Sequence, residues 1–315
     1  MKISRFWIAM AAILIAGFLF TQGADNEFYF FASYVVLQGL VMAVAWNILG
    51  GFAGYVNFGS AGFFGAGVYT SIVLNKAFAL PLPLLIVASG CVCGLLGLAT
   101  GVLTLRLKGI YFAIATLAIA IMLETVASNW EYVGGAAGTF VLQPTEFFVF
   151  DSYIELLFMV MLSLSILAMI VARYLSSSKI GHGLSAIRDD ELAAECMGVP
   201  TLRLKLVSAV TMGALMGMAG APYPFFVTFI DPISAFSLLI AVNAIAMPMI
   251  GGTAAWYGPV IGALLLGLVQ EISTVTISSE LNLLIVGVML VGFITLAPQG
   301  IVGLARKLWL KKRSP

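Results

Sequence analysis

Runs of about 20 apolar residues, each closed by a charge, a proline or a polar cluster, recur along this sequence from end to end. A helix of that length matches the hydrocarbon thickness of a bilayer, and inside lipid only helices or closed barrels satisfy their own backbone. The runs fall at 6–22, 28–50, 57–75, 82–104, 109–128, 152–174, 204–222, 236–250, 257–277 and 281–298. Charged residues make up 9% of the chain, against about 25% in a soluble domain, too few to cover a water-facing surface. The expected fold is therefore all-α: a polytopic integral membrane protein with about ten transmembrane helices, forming a single domain over 1–315. The basic, apolar start (Lys2, Arg5, then Phe6 to Phe20) reads as a retained first helix, since Gly23-Ala24-Asp25 is a weak cleavage match. The 57–75 run is rich in glycine, and the 236–250 run is short and interrupted by Pro248 and Gly251-Gly252.

Orientation follows from where lysine and arginine fall. With the N-terminus in the cytoplasm and the spans alternating, the inside receives Arg106, Lys108, Arg173, Lys179, Arg188, Arg203 and Lys205. It also receives the tail Arg306, Lys307, Lys311, Lys312 and Arg313. The outside receives Asp25, Glu27, Glu131, Glu146, Asp151, Asp231 and Glu280, with Lys76 as the basic exception. An even number of spans puts both termini in the cytoplasm. Two loops are long, an external one at 129–151 and a cytoplasmic one at 175–203.

The cytoplasmic loop holds SAIRDDELAAECMGVP, Ser185 to Pro200, the most polar helix-patterned block of the chain. Asp189 is placed to cap a helix with Asp190 and Glu191 in its first turn, where the helix dipole favours acidic groups. Ala193 and Ala194 favour helix, Gly198 suits a stop and Pro200 cannot continue it. The expectation is a helix of about nine residues at the cytoplasmic face. Ala193, Ala194 and Gly198 give it a small-residue surface that a second protein can approach closely. Its acidic residues, Asp190, Glu191 and Glu195, are available to arginine or lysine of that partner. The competing reading is a solvated connector.

Little else in the chain carries chemistry. Cys91, Cys93 and Cys196 imply no disulfide framework and read as packing residues. His182, the single histidine, sits between Gly181 and Gly183 in the loop, and one histidine builds no metal site. The net charge of +1 offers no nucleic-acid surface. The dipeptide Gly-Lys never occurs, so there is no phosphate loop, and ATP-driven work would need separate ATPase subunits. Polar residues within the spans are Gln38, Asn47, Asn57, Glu124, Asn243, Gln270, Glu271 and Asn282. They read as helix–helix hydrogen bonds or, more sharply, as the lining of a solute path. Asn57, entering the Gly59, Gly62, Gly65, Gly67 segment, and Asn243, ahead of Pro248, are the candidates for the path. The glycines themselves read first as close-packing positions.

The run GHGLSAIRDDELAAECMGVPTLRLKLVSAVTMGALMGMAGA, Gly181 to Ala221, resembles the permease subunits of ATP-binding-cassette importers for branched-chain amino acids, most of all the LivM-type member of the pair. NILGGFAGYVNFGSAGFFGAGVYTSIVL, LRLKGIYFAIATLAIA and GGTAAWYGPVIGALLLGL are similar to further blocks of that family, in the same order. Ser60 stands where the family often has histidine, and Leu192, next to Glu191, where its loop motif usually has glutamate. The resemblance implies that Asp190, Glu191, Ala193, Ala194, Glu195 and Gly198 belong to a helix docking on an ATPase subunit. It also implies a LivH-type permease partner, two ATP-binding subunits carrying ATP and Mg2+, an extracytoplasmic solute-binding protein, and a bacterial inner membrane. This chain itself would bind no cofactor. The alternative is a stand-alone secondary transporter or channel. That alternative expects intramembrane charges for ion coupling, of which only Glu124 and Glu271 are present, near span ends.

Overall fold

The computed structural model describes residues 3–23, 26–142, 150, 152–276, 280–296 and 300–311. Lys2, Asp25, Glu146, Asp151, Lys312 and Arg313 lie outside them, as do the side chains of Glu280, Asn282, Arg306 and Lys311.

The chain forms α1 (Ile3–Gly23), α2 (Glu27–Gly50), α3 (Ser60–Phe78), α4 (Leu82–Thr104) and α5 (Ile110–Ser128). Two 3-10 turns and a two-residue strand β1 (Thr139–Phe140) follow, then α6 (Tyr153–Ser177), α7 (Lys179–Asp189), α8 (Glu191–Cys196) and α9 (Thr201–Gly220). After α9 come α10 (Tyr223–Val227), β2 (Phe229–Ile230), α11 (Pro232–Ala235), α12 (Leu238–Gly251), α13 (Gly258–Thr276), α14 (Glu280–Leu296) and α15 (Gly300–Lys311). Among the described residues, seven helices are long and apolar enough to cross a membrane. Large apolar side chains such as Ile8, Leu103, Ile110 and Ile114 point outward, as a lipid-facing surface requires.

α9 runs through the centre, against α4, α3 and α2. Glycine makes these contacts possible. A Cβ on Gly217 would stand 2.5 Å from Cys93 Cβ and 2.7 Å from the Ser89 carbonyl of α4, and one on Gly97 would stand 2.7 Å from the Ala209 carbonyl of α9. A Cβ on Gly67 of α3 would run into the backbone of Gly217. The helices thus approach backbone to backbone, the arrangement by which membrane helices gain dispersion energy when lipid supplies no hydrophobic drive. Polar atoms bridge the same seam: Ser89 Oγ donates to the Gly67 carbonyl at 3.1 Å, and Cys93 Sγ to the Phe63 carbonyl at 3.3 Å.

The two ends of the bundle differ. At one end β1 pairs antiparallel with β2, Thr139 opposite Ile230 and Phe140 opposite Phe229. There Lys76 Nζ donates to Thr139 Oγ1 at 2.9 Å, and Ser152 Oγ to Glu27 Oε1 at 2.7 Å. The opposite end gathers α7, α8 and the links 51–59, 105–109 and 252–257. The start of α1 lies at this second end, with Phe6 under the Arg173 guanidinium at 3.9 Å and edge-on to Trp256 at 5.4 Å. α15 starts there too, since a Cβ on Gly300 would lie 2.5 Å from Gly252 Cα.

Four expectations are corrected. The helix expected within 57–75 begins at Ser60, because residues 51–59 are non-helical and Asn57 Oδ1 takes the Gly59 N–H just ahead of it. Pro248 does not interrupt its span: α12 continues through it and ends at Gly251, with Gly252 at φ 117°. The cytoplasmic loop holds two helices, and the six-residue α8 is capped by Asp190 while Asp189 closes α7. His182 lies within α7, its Nδ1 2.7 Å from the Ser178 carbonyl, and not in a loop.

Gly217→Ala tests the seam. Overpacking a tight site costs about 1–3 kcal/mol, so the thermal midpoint of the detergent-purified protein should fall. Gly287→Ala, where a Cβ meets nothing within 4 Å, should leave it unchanged.

Candidate functional site

The α7–α8 end is built from short-range signals. Ser178 caps α7, accepting from Gly181 N at 3.4 Å. Asp190 is extended, at φ −160° and ψ 110°, and its Oδ1 accepts from Ala193 N at 3.1 Å. Gly198 adopts φ 82°, the left-handed region that favours glycine, and Val199 N reaches back to the Ala194 carbonyl at 3.0 Å. This closes α8 after one turn and a half and turns the chain into α9.

Glu191 faces the bundle. Lys205 Nζ, in the second turn of α9, donates to Glu191 Oε1 at 2.6 Å. Tyr55 Oη donates to Glu191 Oε2 at 2.7 Å. Lys205 Nζ also donates to Tyr55 Oη and to the Leu105 carbonyl, both at 3.0 Å. Lys108 Nζ stands 3.5 Å from Glu191 Oε2. Lys205 is 3% exposed, so its ammonium exchanges water for three oxygen acceptors. Removing one member of such a buried pair costs about 3–5 kcal/mol, because the other charge is left without compensation. Burial opposes ionisation of Glu191. The bonds from Lys205 and Tyr55 and the charges of Lys205 and Lys108 outweigh it and hold the carboxyl below the usual carboxylate value. The Tyr55 hydroxyl is pushed up, first by burial and then by its bond to Glu191.

Arg188, at the end of α7, makes a second tie to the link after α2: its Nη1 donates to the Gly51 carbonyl at 3.3 Å. Beside these contacts opens a cavity of about 450 Å³. It is lined by Ala53 to Val56 with Phe58, by Lys108 to Ile110 with Phe112 and Ala113, and by Arg188 and Glu191.

The sequence-predicted residues separate by direction. Ala194 is buried, and Glu195 Oε1 accepts from Thr201 Oγ1 at 2.6 Å, so both help fix α8 to the start of α9. Ala193 and Gly198 are exposed, as are Leu192 and Met197, at 67% and 85%. A groove of about 660 Å³ runs between α7 and the α8–α9 turn, lined by Lys179, His182, Ala186, Met197, Gly198 and Pro200 among others. Asn57 is buried: its Oδ1 accepts from Gly59 N at 2.6 Å, and its carbonyl accepts from Trp46 Nε1 at 2.8 Å. Asn243 accepts from Gln270 Nε2 of α13 at 3.1 Å. The structure does not bring Asn57 and Asn243 into contact with the α8 cluster. Sequence reasoning passed over Tyr55 and Lys205. A lysine beyond Arg203, where the apolar run of α9 begins, is the signal that could have found the latter, since such a charge needs a partner.

The geometry is that of a multi-pass membrane protein whose described ion pairs lie at one end, around a short exposed helix. The family described as "Branched-chain amino acid transport system / permease component" matches residues 28–294, and the chain belongs to that family. It is 26% identical to the high-affinity branched-chain amino acid transport system permease protein LivM of Salmonella typhimurium, over 97% of this chain and 76% of that protein. The LivM protein of Escherichia coli is as similar, at 26% over the same shares. A probable LivH permease protein of Methanocaldococcus jannaschii is 28% identical, over 78% of this chain and 82% of its own length. No solved structure matches the chain. The chain is thus a transport permease component.

The depressed pKa of Glu191 sets a pH window. A carboxyl held low in the folded state stabilises it above the unfolded value, about 4.3. That contribution is lost as pH falls through the folded value. Amide protection of α8, corrected for intrinsic exchange, should stay level from neutral pH to about 5 and drop below about 4. Glu191→Gln should remove the step.

Proposed function

We propose that the chain is the LivM-type permease subunit of an ATP-driven importer in a bacterial inner membrane. About ten spans cross the bilayer, with both termini and the α7–α8 end in the cytoplasm. Lysine and arginine bias supports this orientation, as do the shared end of Phe6, Gly300 and α8. The complex comprises this chain, a LivH-type permease, two ATP-binding subunits and an extracytoplasmic solute-binding protein. ATP and Mg2+ sit on the ATP-binding subunits. The solutes are branched-chain or related amino acids, and Asn57 and Asn243 belong to segments near their path.

The observation that carries the reading is the outward presentation of α8. Asp190 and Gly198 set its ends, and Glu191, Ala194 and Glu195 bind it to the bundle. Leu192, Ala193, Met197 and Gly198 remain free on its outer side for an ATPase surface. Closing of the ATPase pair on ATP moves α8, and the bundle alternates between inward-open and outward-open states. A stand-alone carrier gives no reason for an exposed apolar turn at this place.

Co-purification with co-expressed partner subunits tests it. Gly198→Arg should lose the ATPase subunits while the permease still inserts. Gly198→Asn, which tolerates the left-handed conformation, should keep them. Normal recovery and uptake with Gly198→Arg would remove the docking role.

A further inference from the structure

We propose that Glu191 is a positioning residue for transport: its carboxylate, held between Lys205 and Tyr55, ties α8 to the two non-helical links that wall the 450 Å³ cavity, so that movement of α8 changes the width of that cavity. This rests on the reading of α8 as the ATPase-docking helix and assigns the residue through which its motion enters the bundle.

The contacts define the route. Both carboxylate oxygens of Glu191 are engaged within the chain, one by Lys205 at 2.6 Å and one by Tyr55 at 2.7 Å. Glu191 therefore faces away from the side on which Leu192 and Met197 stand exposed. Tyr55 belongs to the link 51–59, and Lys205 holds the Leu105 carbonyl at the head of the link 105–109. Lys108 adds its charge from the same link. Residues of both links line the cavity. Each contains a glycine at positive φ, Gly54 at 78° and Gly109 at 56°, and around Gly109 there is open space. Gly54 lies between helices, and Gly109 meets α5 through its carbonyl, which accepts from Ala113 N at 3.4 Å, whereas α3, α4 and α9 are locked by backbone contact. A pull on Glu191 thus moves the cavity walls before it moves the central helices. The flexible stem of Lys205 lets its ammonium follow the carboxylate. The Arg188 bond to Gly51 steadies the same link from α7.

The test uses the assembled complex in nanodiscs, with spin labels at Val56 of the 51–59 link and Ile110 at the start of α5, both exposed and both lining the cavity, after replacement of the native cysteines. The inter-label distance distribution is measured with and without Mg-ATP, beside the ATP hydrolysis rate. The unmodified latch should show a nucleotide-dependent shift. Glu191→Gln and Tyr55→Phe should lose that shift while ATPase subunits and hydrolysis are retained. Glu191→Lys combined with Lys205→Glu should recover part of it. The same shift in every variant, or no shift with the latch intact, overturns the proposal. Loss of the ATPase subunits on Glu191→Gln, with the permease still folded by its thermal midpoint, overturns it too and makes Glu191 a docking contact. Failure of the unmodified chain to recover any ATPase subunit overturns the importer reading itself, a result distinct from all of these.

Discussion

Lipid outside the bundle removes the ordinary reason for apolar side chains to cluster, so helices must gain their contact from close backbone approach. α9 is where this chain meets that demand. Its Gly213, Gly217 and Gly220 admit the backbones of α4 and α3, and Gly97 and Gly67 answer from the facing sides. A helix fixed in this way along its length has little freedom to translate. Its second turn therefore projects Lys205 from a fixed point, and the ammonium there dictates what surrounds it.

A buried ammonium needs acceptors, and Lys205 draws three from three different segments: Glu191 from α8, the Tyr55 hydroxyl from the 51–59 link and the Leu105 carbonyl from the end of α4. The last of these is a helix C-terminal carbonyl, one of the groups a helix end leaves without an internal partner. One side chain thus satisfies a helix end, orients a tyrosine and anchors α8. It also explains why the cluster lies at the end of the bundle. Deeper in the membrane the same charges would meet a larger desolvation cost, and further out they would be screened by water and salt.

The spans were legible because their signal is local: about 20 apolar residues between punctuating charges stand out without any knowledge of partners. The exposed turn was legible for the same reason, with Ala193, Ala194, Gly198 and Pro200 writing a helix and its stop in sequence order. Errors arose where a local rule had two equal claimants. Asp189 and Asp190 are both good caps, and only the extended backbone of Asp190 decides between them. Pro248 was read as a break, yet α12 carries it with Ala244, Ile245 and Ala246 buried around that turn. The Asn57 side chain accepts from Gly59 N two residues away, an Asx-type bond of ordinary turn chemistry that says nothing for or against a place near the path. Glu191 was named among the residues of the helix, yet its inward direction was beyond reach for a different reason. Its partner Tyr55 is separated from it by 136 positions, and nothing in either neighbourhood names the other. An acidic residue in the first turn of a helix looks like dipole complementarity whether it faces solvent or a buried lysine.

The contrast between the two ends suggests where such a bundle can change shape. At the β1–β2 end the loops are joined by backbone ladder bonds, by Val141 N on the Thr228 carbonyl at 2.8 Å, and by the Phe140–Phe229 contact at 4.9 Å. Such contacts are short-ranged and are lost together when a strand separates. At the α8 end the ties to Glu191 come from Lys205 and Lys108, whose flexible stems let the ammonium follow a displaced carboxylate. A central block joined by glycine, a laddered cap at one end and flexible ionic links at the other together place the softest joints beside Tyr55 and Lys108. Force applied to α8 reaches those joints first, because Glu191 is bonded to one of them directly and to the other through Lys205.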